Sequence, residues 1–220
     1  MDNIEQYRKL MFDWCSEILI PHMDEITNGK EVDLPEREFI DILHHNFYDI
    51  METYEALELS GVLLSVKGPR SNKVSEDKYC RYVINTYLQD MYILKERLNS
   101  YATKIKRIHN NLGRNQIVDL LVEPVFDVIK SSFQGIVDTR GGHVHQRRYT
   151  DDILDDASLF SSTAKSDPKF SPVSKVSLEL LKEEWGERIN KNNAKVKELL
   201  NYYFACLYGV IQENQKVIVP

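Results

Sequence analysis

The chain has 220 residues, of which 42% are hydrophobic and 28% are charged, and its formal net charge at pH 7 is −6. The two fractions are ordinary for a soluble globular protein. The negative net charge argues against non-specific electrostatic binding of nucleic acid, because such binding needs many contacts between Lys or Arg and phosphates. No run approaches the roughly 20 apolar residues that span a bilayer, and Met1–Glu5 lacks the pattern of a signal peptide. We therefore expect a cytoplasmic protein.

Three cysteines are far apart in the sequence and lack the spacing of metal ligands: Cys15, Cys80 and Cys206. All three fall within helical patterns, so they are interpreted as buried thiols in a reducing compartment. No cofactor is expected, because no phosphate loop, dinucleotide fingerprint or Cys-x-x-Cys pair occurs in the chain.

Apolar residues at spacings of three and four predict helices along most of the first half of the chain. The first helix covers residues 4–19 and is ended or bent near Pro21. A second begins at Asp33–Glu36, where a proline and an acid suit a first helical turn. The glycines and proline of residues 61–72 predict a loop.

The longest uninterrupted pattern runs from Ser75 to Ile108 and carries a stripe of tyrosines. Such a stripe is typical of a core or a dimer interface whose hydroxyls reach water. His109 is expected at an exposed helix end. Pro124 predicts a kink or a joint between two helices in the following segment.

The remainder begins with a helix cap at Thr150-Asp151-Asp152. The paired acids Asp151-Asp152 and Asp155-Asp156 are interpreted as solvated acids at a helix start. Residues 161–174 are polar with two prolines and predict a flexible loop. A long helix over 176–211 and a tail over 212–220 complete the chain, with no strand pattern. These elements predict an all-α fold, a single-domain bundle of four to five long helices with short accessory helices, comprising an N-terminal helix (1–30) and a bundle (35–211).

One stretch, Asp138 to Tyr149, needs more explanation than burial of apolar surface. It contains three arginines, two histidines and a glycine pair within twelve residues. An arginine is always charged and can hold phosphate oxygens with a planar fork of donors. A histidine can accept and return a proton near neutral pH. An arginine and a histidine together are the smallest set of side chains that metal-free chemistry on a phosphodiester requires.

The spacing of Arg140 and His145 matters for this chemistry. On a continuous helix, five residues would place the two side chains roughly 140° apart around the axis. They could then hardly act together. The glycine pair Gly141-Gly142 favours ending the helix between them, because glycine accepts the left-handed conformation that closes many helices.

An Arg-x4-His motif near the end of a helix, in an all-helical chain, resembles the HEPN superfamily (higher eukaryotes and prokaryotes nucleotide-binding domains). That motif is an arginine, a spacer of four to six residues and a histidine, as in Arg140 to His145 here. The stretch from Arg140 to Tyr149 also resembles uncharacterised bacterial HEPN-like proteins. The motif covers about ten residues, and the likeness in fold would cover residues 35–211. Many HEPN ribonucleases carry a polar residue directly after the arginine, whereas this chain has Gly141.

The resemblance implies a metal-independent endoribonuclease that acts as a homodimer, with two motif regions facing one composite cleft. His145 would exchange protons with the ribose 2′-hydroxyl or the leaving oxygen, and Arg140 would stabilise charge on the scissile phosphate. Four further residues would contact phosphates or stack on bases, or are simply surface turn residues. These substrate-binding candidates are His143, Arg147, Arg148 and Tyr149.

Two other interpretations stay open. A non-catalytic dimeric component, such as a regulatory, toxin–antitoxin or defence protein with an antitoxin-like partner, is favoured by the acidic net charge and by Gly141. A metal site could instead form from His143 and His145 with Asp138 or Asp151, since His-x-His binds metals when the backbone is extended. Such a site would need further ligands from elsewhere in the chain.

Overall fold

The computed structural model describes residues 2–32, 34, 37–69, 73–141 and 149–219. For residues 135–141 it describes the backbone but not the side chains. Helices make up nearly all of this part, which confirms the predicted all-α bundle. Of the described helices, none has both the length and the apolar composition that crossing a bilayer would require.

The described helices follow the periodicity of the sequence closely. They are α1 (Asn3–Leu19), α2 (Met23–Thr27), α3 (Arg37–Ile40), α4 (Asn46–Ser65), α5 (Glu76–Asn111), α6 (Asn115–Leu121), α7 (Glu123–Gly141), α8 (Asp152–Ser166) and α9 (Ser171–Ile211). Short 3-10 turns cover Ile20–His22 and Pro168–Phe170, and a π-helical turn covers Asp41–His45. The longest helices are α5, with 36 residues, and α9, with 41.

Contacts within the chain define two compact units. The first unit comprises Met1–Glu52, Leu94–Ser132 and Val196–Pro220. The second unit comprises Thr53–Ile93 and Phe133–Lys195. All of α8 and the first part of α9, up to Lys195, therefore belong to the second unit.

The core of the first unit contains hydrogen-bonded tyrosines. The hydroxyls of Tyr7 and Tyr101 lie 2.6 Å apart, and Tyr101 donates to the carbonyl of Leu43 at 2.9 Å. Tyr203 donates to the carbonyl of Leu98 at 2.8 Å. The expectation that hydroxyls of the tyrosine stripe reach water was wrong for Tyr101, because a buried hydroxyl needs a partner and the helix carbonyls provide one.

In the second unit α4 packs closely on α9. The Cβ position of Gly61 lies 3.3 Å from the Ile189 methyl Cγ2, so the small residue permits this approach. Asn193 accepts a hydrogen bond from the hydroxyl of Tyr87 at 3.2 Å and donates to the carbonyl of Leu57 at 3.1 Å. The prediction of a loop from Gly61 was wrong up to Ser65, because this glycine serves helix packing and does not end α4.

The prediction of a flexible loop over residues 161–174 was also wrong. α8 continues to Ser166, a 3-10 turn follows, and α9 begins at Ser171. Both prolines lie in first turns, at Pro168 and Pro172, where no helical hydrogen bond is lost. The hydroxyls of Ser161 and Ser174 lie 3.2 Å apart and are buried, so α8 and α9 form a packed helical hairpin.

Three further predictions concern helix ends. The joint at Pro124 is confirmed, because α6 ends at Leu121 and α7 begins at Glu123. The exposed position expected for His109 was wrong, since its side chain is fully buried. The tail after α9 contains a small antiparallel hairpin of β1 (Gln212–Glu213) and β2 (Lys216–Val217). Asn214 and Gln215 both have positive φ, as a two-residue hairpin turn requires.

Candidate functional site

The predicted site residues are described to different extents. Arg140 lies in the helical backbone of α7, one residue before the helix ends at Gly141, and its side chain is outside the described residues. His145 is also outside the described residues, as are three substrate-binding candidates: His143, Arg147 and Arg148. The distance between the Arg140 and His145 side chains, and the predicted turn at Gly141-Gly142, therefore stay predictions.

Tyr149 ends the basic stretch, and the structure describes it fully. Its side chain is half-buried, and its ring packs edge-on against Trp185 with 5.6 Å between the ring centres. Its hydroxyl donates to Oδ2 of Asp151 at 3.3 Å. Burial, and then the negative charge of Asp151, raise the pKa of Tyr149, so the hydroxyl keeps its proton and acts as a donor.

Asp151 connects this tyrosine to two helices. Its Oδ1 accepts from the backbone N–H of Leu154 at 2.9 Å and so caps α8. Its Oδ2 accepts from Nε1 of Trp185 at 3.2 Å and from Nη1 of Arg188 at 3.0 Å. The carboxylate thus fixes the chain directly after the basic stretch onto α9. The prediction of solvated acids was wrong for Asp151, whose side chain is only 20% exposed.

Arg81 of α5 holds the same segment from another side. Its Nη2 donates to the carbonyl of Leu154 at 3.1 Å, to Oδ1 of Asp155 at 3.1 Å and to Oγ of Ser158 at 2.9 Å. Hydrogen bonds from Thr150 and then Arg81 lower the pKa of Asp155, which keeps that carboxylate charged and paired to lower pH.

Sequence reasoning missed the contacts that organise this region. Trp185 was assigned only to the apolar stripe of α9, and Arg188 and Arg81 were not singled out. A signal was present in Trp185 and Arg188, which are three residues apart on one helix, because both side chains can donate to a carboxylate. Nothing in the sequence pairs them with Asp151, since that contact depends on the fold.

No group of three or more His, Cys, Asp or Glu side chains suited to a metal ion occurs within the described ranges. Asp151, one ligand of the alternative metal site, already accepts hydrogen bonds on both carboxylate oxygens. The other residues of that alternative, His143, His145 and the side chain of Asp138, lie outside the description.

A separate cleft of about 800 Å³ lies in the first unit, between α1 and the terminal hairpin. Its described lining includes Lys9, Asp13, Glu17 and Trp14 but no predicted site residue. α1 contributes one base and two acids to this lining, so the cleft does not present converging groups of one charge. It therefore gives weaker support for a phosphate site than the basic stretch does.

The chain was compared with known proteins by sequence and by structure. No protein-family model, no curated protein and no solved structure matches it. Its functional interpretation accordingly depends on the residues and contacts described above.

Proposed function

We propose that this protein is a metal-independent endoribonuclease of the HEPN type, with Arg140 and His145 as its catalytic residues. The observation that carries the proposal is the attachment of Tyr149 to Asp151 and α9, immediately after the basic stretch. Arg140 belongs to the helical backbone of α7. The chain therefore enters and leaves the motif through ordered elements, and such support is what catalytic side chains need for fixed geometry.

The proposed reaction is an internal transesterification of RNA. His145 accepts the proton of a ribose 2′-hydroxyl, and the resulting oxygen attacks the adjacent phosphorus. The bond from phosphorus to the 5′-oxygen breaks, and that oxygen takes the proton held by the imidazole, which returns His145 to its neutral form. The products are a 2′,3′-cyclic phosphate and a free 5′-hydroxyl. Arg140 donates to the non-bridging oxygens, where negative charge gathers in the transition state.

The resemblance also supports a homodimer in which two copies of the motif face one cleft. In that arrangement Arg147 and Arg148 add positive charge beside the scissile phosphate, where Arg forks are suited to phosphate oxygens. Tyr149 has its hydroxyl and one ring edge engaged. Its contribution is therefore to hold the motif more than to stack on a base.

The test is cleavage of several single-stranded RNAs by purified protein in excess EDTA. Wild type should cleave and leave cyclic phosphate ends, whereas His145→Ala should lose roughly two to four orders of magnitude in rate. His45→Ala is the matched control, because this histidine is exposed and lies in the π-helical turn of the first unit. Equal cleavage by all three proteins would reject the assignment of His145.

The second candidate is a non-catalytic dimeric regulatory, toxin–antitoxin or defence component. Gly141 favours it, because the residue after the arginine carries no polar side chain. The same experiment separates the two functions. Absence of cleavage by wild-type protein on every RNA, in a preparation that is folded and dimeric, would favour the non-catalytic component.

A further inference from the structure

Four large apolar side chains of the first unit lie in water along α1, the following 3-10 turn and α2. Phe12 is 67% exposed, Ile20 66%, Met23 50% and Ile26 41%. Single exposed apolar side chains are ordinary, but neighbouring ones that form a patch usually mark a contact surface. We call these four residues the α1 apolar face.

Helical spacing places the residues of this face side by side. Phe12, Ser16 and Ile20 are four residues apart, and side chains at that spacing lie on one side of a helix. Ile20 still has helical backbone angles, φ −55° and ψ −43°, and Met23 ends the 3-10 turn that follows. Phe12 and Ile20 are about 12 Å apart along the axis. The small, half-buried Ser16 lies between them at the centre of the face.

The two ends of the face differ in charge. Arg8 and Lys9 lie one turn before Phe12, and no further lysine or arginine occurs until Lys30. The stretch in between contains four carboxylates: Asp13, Glu17, Asp24 and Glu25. The first two line the cleft on the adjacent side of α1, and Lys9 lies at the edge of the same cleft. The bases are therefore confined to the N-terminal end of the face.

Only some of these charges have partners within the chain. Arg8 forms an ion pair with Glu5 at 3.0 Å, and Glu25 lies 3.7 Å from a histidine of the 3-10 turn. Lys9 and Asp24 are exposed, and neither forms an ion pair within 4.0 Å in the part of the chain that the structure describes. One unpaired base at the first end and one unpaired acid at the second therefore face solvent.

We propose that the α1 apolar face binds the same face of a second copy of this chain, with the two helices antiparallel. The inference rests on the homodimer of the proposed function and adds the surface that holds it. A two-fold axis at Ser16 places Phe12 of each copy opposite Ile20 of the other. The small serine lets the two helices approach closely at the axis. Lys9 and Asp24, seven and eight residues from Ser16, then lie close to each other across the interface.

The charges select a second copy over other occupants. RNA and an anionic membrane surface are repelled by the four carboxylates of the stretch. A parallel pair of helices would place acids against acids, and like charges across an interface disfavour binding. The antiparallel pair is self-complementary, because each copy brings its basic end to the acidic end of the other.

The first experiment tests the apolar contact. Sedimentation equilibrium of the full chain measures the Kd of the dimer for wild type, Phe12→Ser and Leu120→Ser. Phe12→Ser should raise the Kd at least about tenfold, since a large apolar side chain at the centre of an interface contributes most to binding. Leu120 is the matched control, because it is 72% exposed and belongs to α6 of the first unit. Leu120→Ser should change the Kd less than about twofold.

The second experiment tests the antiparallel charge pairing. Lys9→Glu and Asp24→Lys each make two contacts of the dimer repulsive, so each should raise the Kd about three- to tenfold. Mixing the two variants in equal amounts restores attraction at both contacts. Native mass spectrometry should therefore find more heterodimer than random pairing gives. The matched pair is Arg37→Glu and Asp119→Lys, both exposed and in the first unit, and it should pair at random.

The outcomes separate this surface from the nuclease. A wild-type monomer at all concentrations, or equal effects of Phe12→Ser and Leu120→Ser, would overturn the interface. Random pairing of Lys9→Glu with Asp24→Lys would overturn the antiparallel arrangement. A monomer that binds a synthetic Leu–Lys helical peptide, and loses it in Phe12→Ser, would replace the second copy with a basic partner. Cleavage in EDTA is measured independently, so it can hold where this interface fails, and the interface can hold where wild type does not cleave.

Discussion

His109 combines full burial with a charged neighbour. Its Nδ1 lies 3.1 Å from Nη1 of Arg114, and the same guanidinium nitrogen donates to the carbonyl of Val210. A guanidinium only donates, so Nδ1 is the acceptor and the imidazole proton lies on Nε2. That Nε2 is buried and has no hydrogen-bond partner among the described residues. Burial, and then the charge of Arg114, lower the pKa of His109 to about 4.

The protein should therefore lose stability in acid through His109. Its unfolded chain takes up a proton near pH 6.5, whereas the folded protein resists protonation until about pH 4. The unfolded state binds more protons in this interval, so the contribution is fully present above pH 6.5 and is lost as pH falls towards 4. Between pH 7 and about pH 5 the loss amounts to about 2 kcal/mol. Urea denaturation at the two pH values measures it.

Two variants separate titration from packing. His109→Leu and His109→Gln differ in polarity, but neither can take up the proton. Both should show a difference in unfolding free energy between the two pH values that is about 2 kcal/mol smaller than in wild type. A wild-type pH dependence retained in both variants would contradict the assignment of this effect to His109.

Gly61 and Gly186 provide a matched pair for the packing of α4 on α9. Both lie inside helices, where replacing glycine by alanine usually stabilises by about 0.5–1 kcal/mol. A Cβ at Gly186 would meet no atom within 4 Å, whereas a Cβ at Gly61 would lie 3.3 Å from Ile189 Cγ2. Gly186→Ala should therefore raise the free energy of unfolding. Gly61→Ala should raise it less, or lower it. Urea denaturation compares the two, and equal stabilisation would contradict the close approach.

Helix periodicity predicted most elements but not their ends. α1, α5 and α9 follow apolar spacing over several turns, and that pattern depends only on which face is buried. The ends of the helices depend on single residues, and the same residue type can have two different effects there. Glycine at residue 61 can end a helix or allow close packing. Proline at residue 168 can break a helix or begin one.

In the candidate site, the residues were named from the sequence, but the contacts that hold them were not. Arg140 and His145 were singled out by residue type and spacing alone, and Tyr149 by its place at the end of the basic stretch. Tyr149 contacts Trp185, and Asp151 contacts Trp185 and Arg188, all more than 30 positions further along the chain. Such a contact leaves no periodic signal, so it required the fold.

Over the whole molecule, charge is separated more sharply than the net value of −6 suggests. The basic stretch is followed in sequence by four aspartates, which could have neutralised it. Arginines of two other helices engage two of them instead: Arg188 pairs with Asp151 and Arg81 pairs with Asp155. Two of the four aspartates are therefore paired with arginines outside the basic stretch.

The proposed homodimer gives a prediction for the whole molecule. If each cleft needs two copies of the motif, the activity of a wild-type chain depends on the copy with which it pairs. Adding an excess of His145→Ala protein should convert wild-type dimers into mixed dimers. Because each mixed dimer has only one intact motif, the cleavage rate per wild-type chain should fall, with RNA kept in excess. Dilution should lower the specific rate as dimers dissociate. Light scattering measures the mass over the same concentrations, and a monomer whose rate is unaffected by the inactive chain would contradict the composite cleft.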